Sequence, residues 1–259
     1  MPSGRELRLR GLDNFPLVQP GDDLGRIIQD VLESNEISLL DGDVLIIAQK
    51  VVSKAEDRQV LLDSVQASPE ARKLAKETDK DPRVVELILR ESSQVLRHRP
   101  GLIVVEHRLG FICANAGIDR SNVRQAQESR EDSVLLLPEN PDQSARNIRA
   151  VLEAELGVRI GVVIIDSHGR AWRKGTVGIS IGLSGIPGLV DLRGEPDLFG
   201  YRLRVTEIGA ADELAAAASL LMGQASEGIP VVLARGFPYP LREGSFSEIP
   251  RERESDLFR

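Results

Sequence analysis

The 259-residue sequence predicts an α+β protein, and three observations predict it. Short aliphatic runs of strand length alternate with amphipathic stretches whose apolar residues recur at helical spacing. These runs do not keep a strict strand–helix–strand rhythm, which separates the chain from a doubly wound parallel sheet. No 20–50-residue repeat and no low-complexity tract interrupts them, so repeat architectures are excluded.

Residues 22–33 read as the first helix, with Leu24, Ile27, Ile28, Val31 and Leu32 on one face. Asp41-Gly42-Asp43 is a turn signal, and the apolar run that follows predicts a strand over 44–52. Ser68-Pro69 and Asp81-Pro82 each place a capping side chain before a proline at the first helical position. The second of these helices carries Val84, Val85, Leu87, Ile88 and Leu89. Strands are predicted over 102–106 and 110–114, then a polar loop over 115–132. Pro141-Asp142 opens a helix that runs to Leu156.

Residues 158–165 are nearly continuous in apolar side chains, the pattern of a strand buried on both faces. A further strand is predicted over 176–183, followed by a loop rich in Gly, Pro and Asp over 184–200. An alanine-rich helix over 210–222 can let a neighbour pack close, within one subunit or between two. Residues 231–234 are the last expected strand. The organisation expected is one unit over 1–244, with room for two lobes, and a free charged tail over 245–259.

Composition narrows the function. Lys and Arg total 33 against 40 Asp and Glu, a formal charge of −7, which disfavours coating of a nucleic-acid duplex. Aromatic residues make up only 3%, so base-stacking platforms are scarce and the core must be aliphatic. The single cysteine, Cys113, allows neither an internal disulfide nor a cysteine zinc cluster. Residues 1–10 lack the apolar centre of a signal peptide, and no run reaches the ~20 apolar residues of a membrane helix. A soluble, cytoplasmic chain with no membrane partner is expected.

Familiar signatures are absent: no phosphate loop of the G-x-x-x-x-G-K type, no G-x-G-x-x-G, no H-E-x-x-H and no G-x-S-x-G. Two polar clusters stand where predicted strands end. The first is 115–122, Asn-Ala-Gly-Ile-Asp-Arg-Ser-Asn; the second is 166–170, Asp-Ser-His-Gly-Arg. A carboxylate from each loop can share a hard cation, with Arg170, Arg173 and Lys174 facing anionic oxygens. Loops rich in Asx also build turns and cap helices without further role, so the clusters alone leave both readings open. Asp22 and Asp23, and likewise Asp212 and Glu213, suit the positive end of a helix. Cys113 reads as a small buried hydrophobe.

Several segments in order then point further. They include Gly21-Asp22-Asp23-Leu24, Asp41-Gly42-Asp43-Val44, Val52-Ser53-Lys54-Ala55-Glu56 and Asn115-Ala116-Gly117-Ile118-Asp119. Ser121-Asn122, Leu136-Leu137-Pro138, Pro141-Asp142 and Gly169-Arg170 continue the series. Asp197-Leu198-Phe199-Gly200, Ala211-Asp212-Glu213 and Leu221-Met222-Gly223 complete it. From about Gly11 to Gly236 the chain resembles the coenzyme F-420:L-glutamate ligases, also called F-420-0:gamma-glutamyl ligases, in their stand-alone form.

The resemblance implies mixed, largely antiparallel sheets with packed helices, in an interwoven homodimer. It implies a GTP-dependent amide ligase that joins L-glutamate to coenzyme F-420-0. GTP phosphorylates the acceptor carboxylate, the glutamate amine attacks the acyl phosphate, and phosphate and GDP leave. Such chemistry needs positioning and charge neutralisation more than a nucleophilic side chain.

By resemblance, Asp119 and Asp166 bind one divalent metal (Mg²⁺ or Mn²⁺, two per site), and Ser167 and Gln224 hold the second. K⁺ is a further ion suggested. Asn122, Phe15, Pro16, Leu17, Val18, Gln49 and Lys54 match nucleotide contacts. The loop Met222, Gly223, Gln224, Ala225, Ser226, Glu227, Gly228 and Ile229 matches the last nucleotide segment.

Departures from the family pattern are Ser167 for threonine, His168 for phenylalanine or asparagine, Ala171 for proline, Asp57 for glycine and Tyr201 for arginine. They put the acceptor in question rather than the metal and nucleotide chemistry. A same-mechanism ligase for another acidic acceptor and a non-catalytic GTP-binding module are the competing readings. Only about 23 residues follow Gly236, too few for the flavin-dependent domain fused to some family members.

Overall fold

The structure, a computed structural model, describes residues 6–120 and 132–257. Its centre is a five-stranded sheet built from β1 (Arg8–Gly11), β2 (Val44–Ala48), β8 (Gly161–Gly169), β9 (Thr176–Ser184) and β12 (Val231–Arg235). The strand order is β1-β12-β2-β8-β9, and every pair is antiparallel except β2 with β8. The parallel pair therefore lies within a mixed sheet, with an antiparallel neighbour on each side. The expected α+β class holds.

Strand alternation explains why these runs are apolar throughout. Leu45, Ile47, Val162 and Ile164 belong to the core on one face, packed with α1 (Leu24–Ser34) and α5 (Pro141–Leu156). Val44, Ile46, Val163 and Ile165 face the other way, onto α6 (Ala210–Met222). Burying an Ile or Val side chain fully contributes about 1.5–3 kcal/mol, so these eight residues alone outweigh any surface ion pair in the molecule. The alanine-rich helix packs against the sheet of the same chain, through Ala211, Leu214, Ala215 and Ala218. Gly178 on β9 permits this approach, because a Cβ there would stand 2.6 Å from the Ala215 carbonyl oxygen.

Helix starts follow the local chemistry. Asp23 caps α1 by accepting from the Arg26 N–H. Ser68 caps α3 (Pro69–Thr78), and Asp81 caps α4 (Pro82–Arg90), each with proline at the first turn. Asn140 caps α5, whose ends agree with the sequence prediction, as do those of α6.

Smaller sheets complete the chain. β3 (Gln59–Leu61) pairs with β7 (Ser133–Leu135), and β4 (Ser92–Arg99), β5 (Leu102–His107) and β6 (Ile112–Ala114) form an antiparallel meander. β10 (Val190–Asp191) and β11 (Glu207–Ile208) are the base of an arm, with Leu198 and Phe199 almost fully exposed at its tip. No helix among the described residues is long and apolar enough to cross a membrane.

Three expectations are corrected. The strand predicted over 44–52 ends at Ala48, and α2 (Gln49–Ala55) begins there. Val51, Val52 and Ala55 suit a helix as well as a strand, and short apolar runs do not separate the two by pattern. The cluster 166–170 is not a loop. β8 continues through Asp166, Ser167 and His168 to Gly169 in register with β9, and the turn comes after it. The charged tail is not free at its start. Phe246 is buried, and the Glu248 carboxylate accepts from the Gly188 N–H at 3.1 Å.

Glu91 ties α4 to the meander. Its carboxylate meets the Arg58 and Arg108 guanidiniums at 3.2 and 3.0 Å and sits 3.7 Å from the His107 ring. Burial pushes its pKa up, but His107, Arg108 and Arg58 together override that and hold it at about 2. A carboxylate depressed in the folded state stabilises above its unfolded pKa and loses that contribution as pH falls through the folded value. Glu91→Gln is therefore expected to cost about 3 kcal/mol at neutral pH, with the deficit shrinking between pH 4.5 and 2. Urea unfolding of both proteins across that range checks it; a deficit that does not change with pH contradicts the assignment.

Candidate active site

The parallel pairing of β2 with β8 ends where Ala48 meets Ile165. Past that point the chain diverges into α2 on one side and the Asp166–Ser167 end of β8 on the other. Crevices at the carboxyl ends of parallel strands are where such sheets bind ligands. Here the crevice is a cleft of about 390 Å³. Its walls are Phe15, Pro16, Leu17 and Val18 after β1; Gln49, Lys50 and Lys54 of α2; Asp166 and Ser167 of β8; Ser219 and Met222 of α6; and residues 223–230 before β12.

Lys50 and Lys54 lie one turn apart on α2, so both ammonium groups serve the same cleft. Partial burial lowers the Lys54 pKa, and the neighbouring Lys50 charge lowers it further. A cation disfavoured in this way gains most from an incoming anion. Gln49 is 2% exposed; its Oε1 accepts from the Ser53 hydroxyl at 2.8 Å, while its Nε2 has no hydrogen-bond partner among the described residues. A buried amide donor without a partner is costly, and here it stands at a cleft wall where a ligand acceptor can meet it.

The loop 223–230 is shaped by Gly223 (φ 68°) and Gly228 (φ 71°), both in the left-handed region that favours glycine. The Glu227 carboxylate folds back to accept from the Ala225 N–H at 2.8 Å. Backbone N–H groups of Ala225, Glu227 and Gln224 lower its pKa. These main-chain donors already favour an anion, supplied here by the chain's own carboxylate.

Asp119 bridges Leu135 through the backbone in both directions. Its Oδ2 lies 3.2 Å from the Lys50 Nζ. Asp166 Oδ2 is 3.0 Å from His168 Nε2, and the His168 ring is buried against Phe111. On the far side of the strand pair, Asp212 reaches from the first turn of α6 to accept from the Ser180 N–H at 2.9 Å. That bond satisfies the backbone at the bulge where the register between β8 and β9 shifts, just before Asp166. Burial raises the Asp212 pKa.

The structure thus brings Phe15, Pro16, Leu17, Val18, Gln49, Lys54, Asp166, Ser167, Met222, Gly223, Gln224, Ala225, Ser226, Glu227, Gly228 and Ile229 around one cleft. Asp119 adjoins it through Lys50. Asn122 lies outside the described residues. Tyr201 lies on the exposed arm, away from the cleft walls. Sequence reasoning did not single out Lys50. The signal was its spacing of four from Lys54, which places the two side by side only once 49–55 is read as a helix.

Comparisons with known proteins agree on one family. The sequence model of the F-420-0:gamma-glutamyl ligases matches residues 13–236. A coenzyme F-420:L-glutamate ligase of Methanothermobacter thermautotrophicus is 45% identical over 256 residues, 98% of this chain and 99% of that protein. One from Methanopyrus kandleri is 47% identical over 246 residues, 93% of each chain. One from Methanocaldococcus jannaschii is 42% identical over 255 residues, 98% of each. A match of this extent, on a chain whose cleft gathers those residues, means that the protein belongs to the F-420-0:gamma-glutamyl ligase family.

Proposed function

We propose that this chain is a ligase of coenzyme F-420 biosynthesis that joins L-glutamate to coenzyme F-420-0 at the expense of GTP. The observation that carries the reading is the cleft where the β2–β8 pairing ends. Two lysines, an orphaned amide donor, a glycine-bounded loop with main-chain donors and a carboxylate–hydroxyl pair converge there. The relatives' names supply glutamate and the coenzyme.

In the first step an oxygen of the acceptor carboxylate attacks the γ-phosphorus and the bond to GDP breaks. In the second, the glutamate amine attacks the acyl carbon, loses a proton and displaces inorganic phosphate. Lys50 and Lys54 oppose the phosphate charge, the 223–230 loop donates N–H groups to phosphate oxygens, and Gln49 Nε2 donates to a ligand acceptor. With ligand seated against them, Phe15, Pro16, Leu17 and Val18 would shield the acyl phosphate from water, which would otherwise hydrolyse it.

The donor set suits the divalent cation that the family resemblance implies. Asp119, Asp166, Ser167 and Gln224 offer only oxygen ligands when the amide presents its carbonyl, the preference of Mg²⁺ and Mn²⁺. Among the described residues no three His, Cys, Asp or Glu cluster as a closed site. The remaining ligands would be water and phosphate oxygens, the habit of Mg²⁺. Once bound, such a cation, two per site in this reading, neutralises the β- and γ-phosphate oxygens. K⁺ as a further ion, and action in the cytoplasm, belong to the same proposal.

A homodimer is the assembly proposed. The β10–β11 arm exposes Leu198, Phe199, Tyr201 and Val205. A two-stranded ribbon with an apolar tip is marginal by itself, and a second copy is the partner that would cover it.

The acyl phosphate has a direct test. With the acceptor carboxylate labelled with ¹⁸O, one label per turnover should pass to inorganic phosphate. Release of unlabelled phosphate alongside amide product would rule out attack of the carboxylate on GTP.

A further inference from the structure

Lys50 sits at the junction of two demands. Its ammonium lies 3.2 Å from Asp119 Oδ2, and the two side chains are each 27% exposed. It also lines the nucleotide cleft beside Lys54, on the same helix face. The same carboxylate is the proposed ligand of a divalent cation. An ammonium and a divalent cation on the same carboxylate repel each other, so each weakens the other's hold on Asp119.

We propose that Lys50 is a charge placeholder: it neutralises Asp119 before ligands bind and moves to the nucleotide's phosphate oxygens when the cation takes Asp119. The inference rests on the reading of Asp119 as a metal ligand and adds a residue, and an order of binding, to it. The exchange is favourable on both sides. A partly exposed lysine–carboxylate pair is weak, so a divalent cation held by Asp119 would outcompete it once nucleotide is present. The released ammonium then meets a polyanion in the same cleft, within the reach of its four-carbon stem. Before nucleotide arrives there is no phosphate charge to draw the ammonium away, and its charge beside Asp119 opposes an incoming divalent cation. The cation is therefore held weakly by the protein alone and tightly with nucleotide.

A related arrangement lies elsewhere in the cleft lining, where the Glu227 carboxylate occupies main-chain donors of the 223–230 loop that are suited to phosphate. In both places the chain's own opposite charge occupies groups to which the proposed function assigns a ligand. At Asp119 the stand-in is positive and at the loop it is negative.

The experiment is titration of the whole protein with Mn²⁺ alone, followed by electron paramagnetic resonance of the free ion, then repeated with GDP present. Wild type, Lys50→Gln, Lys50→Met and Asp119→Asn are compared, with circular dichroism melting to establish that each is folded. Removing the placeholder should tighten Mn²⁺ binding without nucleotide about fivefold in both Lys50 variants. The same variants should bind GDP more weakly in the presence of Mn²⁺. Asp119→Asn should lose most of the Mn²⁺ affinity.

If Asp119→Asn weakens Mn²⁺ binding while both Lys50 variants bind it no more tightly than wild type, the placeholder is overturned and Asp119 keeps its role. If none of the variants changes Mn²⁺ affinity, Asp119 is not a ligand and the underlying reading falls as well. Tighter binding in one folded Lys50 variant suffices for the proposal when the other does not fold.

Discussion

Asp166→Asn is expected to lower turnover on the order of 10³-fold while the protein still folds, and Asp119→Asn should do the same. Both substitutions keep the shape of the side chain and remove its charge. The amide introduced at position 166 can still accept from His168 through its carbonyl oxygen, so the contact at 3.0 Å and the packing of His168 on Phe111 survive. The backbone bridge from Asp119 to Leu135 does not involve the side chain. The lost charge is the one that would anchor a divalent cation against the nucleotide's phosphate oxygens, whose stabilisation is worth several kcal/mol in the transition state. Steady-state rates with melting curves of each variant decide the matter. Near-normal turnover in either one removes that residue from the metal assignment.

Lys54→Met should lower kcat/KM for GTP about 100-fold and, unlike most active-site changes, should not destabilise the protein. The opposite signs have one cause. Burial, and then the charge of Lys50, lower the Lys54 pKa, so the folded state carries the charged form at a cost. For a cation whose folded pKa is below its unfolded value, the unfolded chain binds more protons in the interval between them. Stability therefore rises with pH across that interval as the penalty is relieved. Methionine fills the same space without the charge, so the melting temperature at neutral pH should equal or exceed that of wild type and lose this rise. A variant that melts well below wild type would show that Lys54 supports the fold and not the ligand.

Much of this architecture is legible in the residues. The cap and proline at Asn140-Pro141 and the alanine run from Ala210 state their helices without help from the rest of the chain. The buried strand over 161–165 is equally plain, because continuous Val and Ile have few other uses. Polarity at a strand's end misleads. Asp166, Ser167 and His168 read as a loop, yet their backbone pairs with residues 177–179, and pairing of this kind depends on a partner strand that no local pattern announces.

The helix at Gln49 is hidden for the converse reason: Val51 and Val52 carry strand propensity, and tertiary position overrides it. Polar strands such as Ser92–Arg99 lack alternation altogether and escape a reading by pattern. The candidate site is legible where family motifs mark it and obscure where only geometry does. Lys50 and the bulge clamp by Asp212 are visible through distances and not through spacing.

The most direct test of the account is mass spectrometry of coenzyme F-420-0 incubated with the purified protein, GTP, L-glutamate and Mn²⁺ or Mg²⁺. The expected product is heavier by one or more glutamyl units, with one GDP released for each unit added. GTP binding with no such product, under conditions where a family relative forms it, would contradict the ligase assignment; the acceptor environment near His168 would then point the search to a different acid.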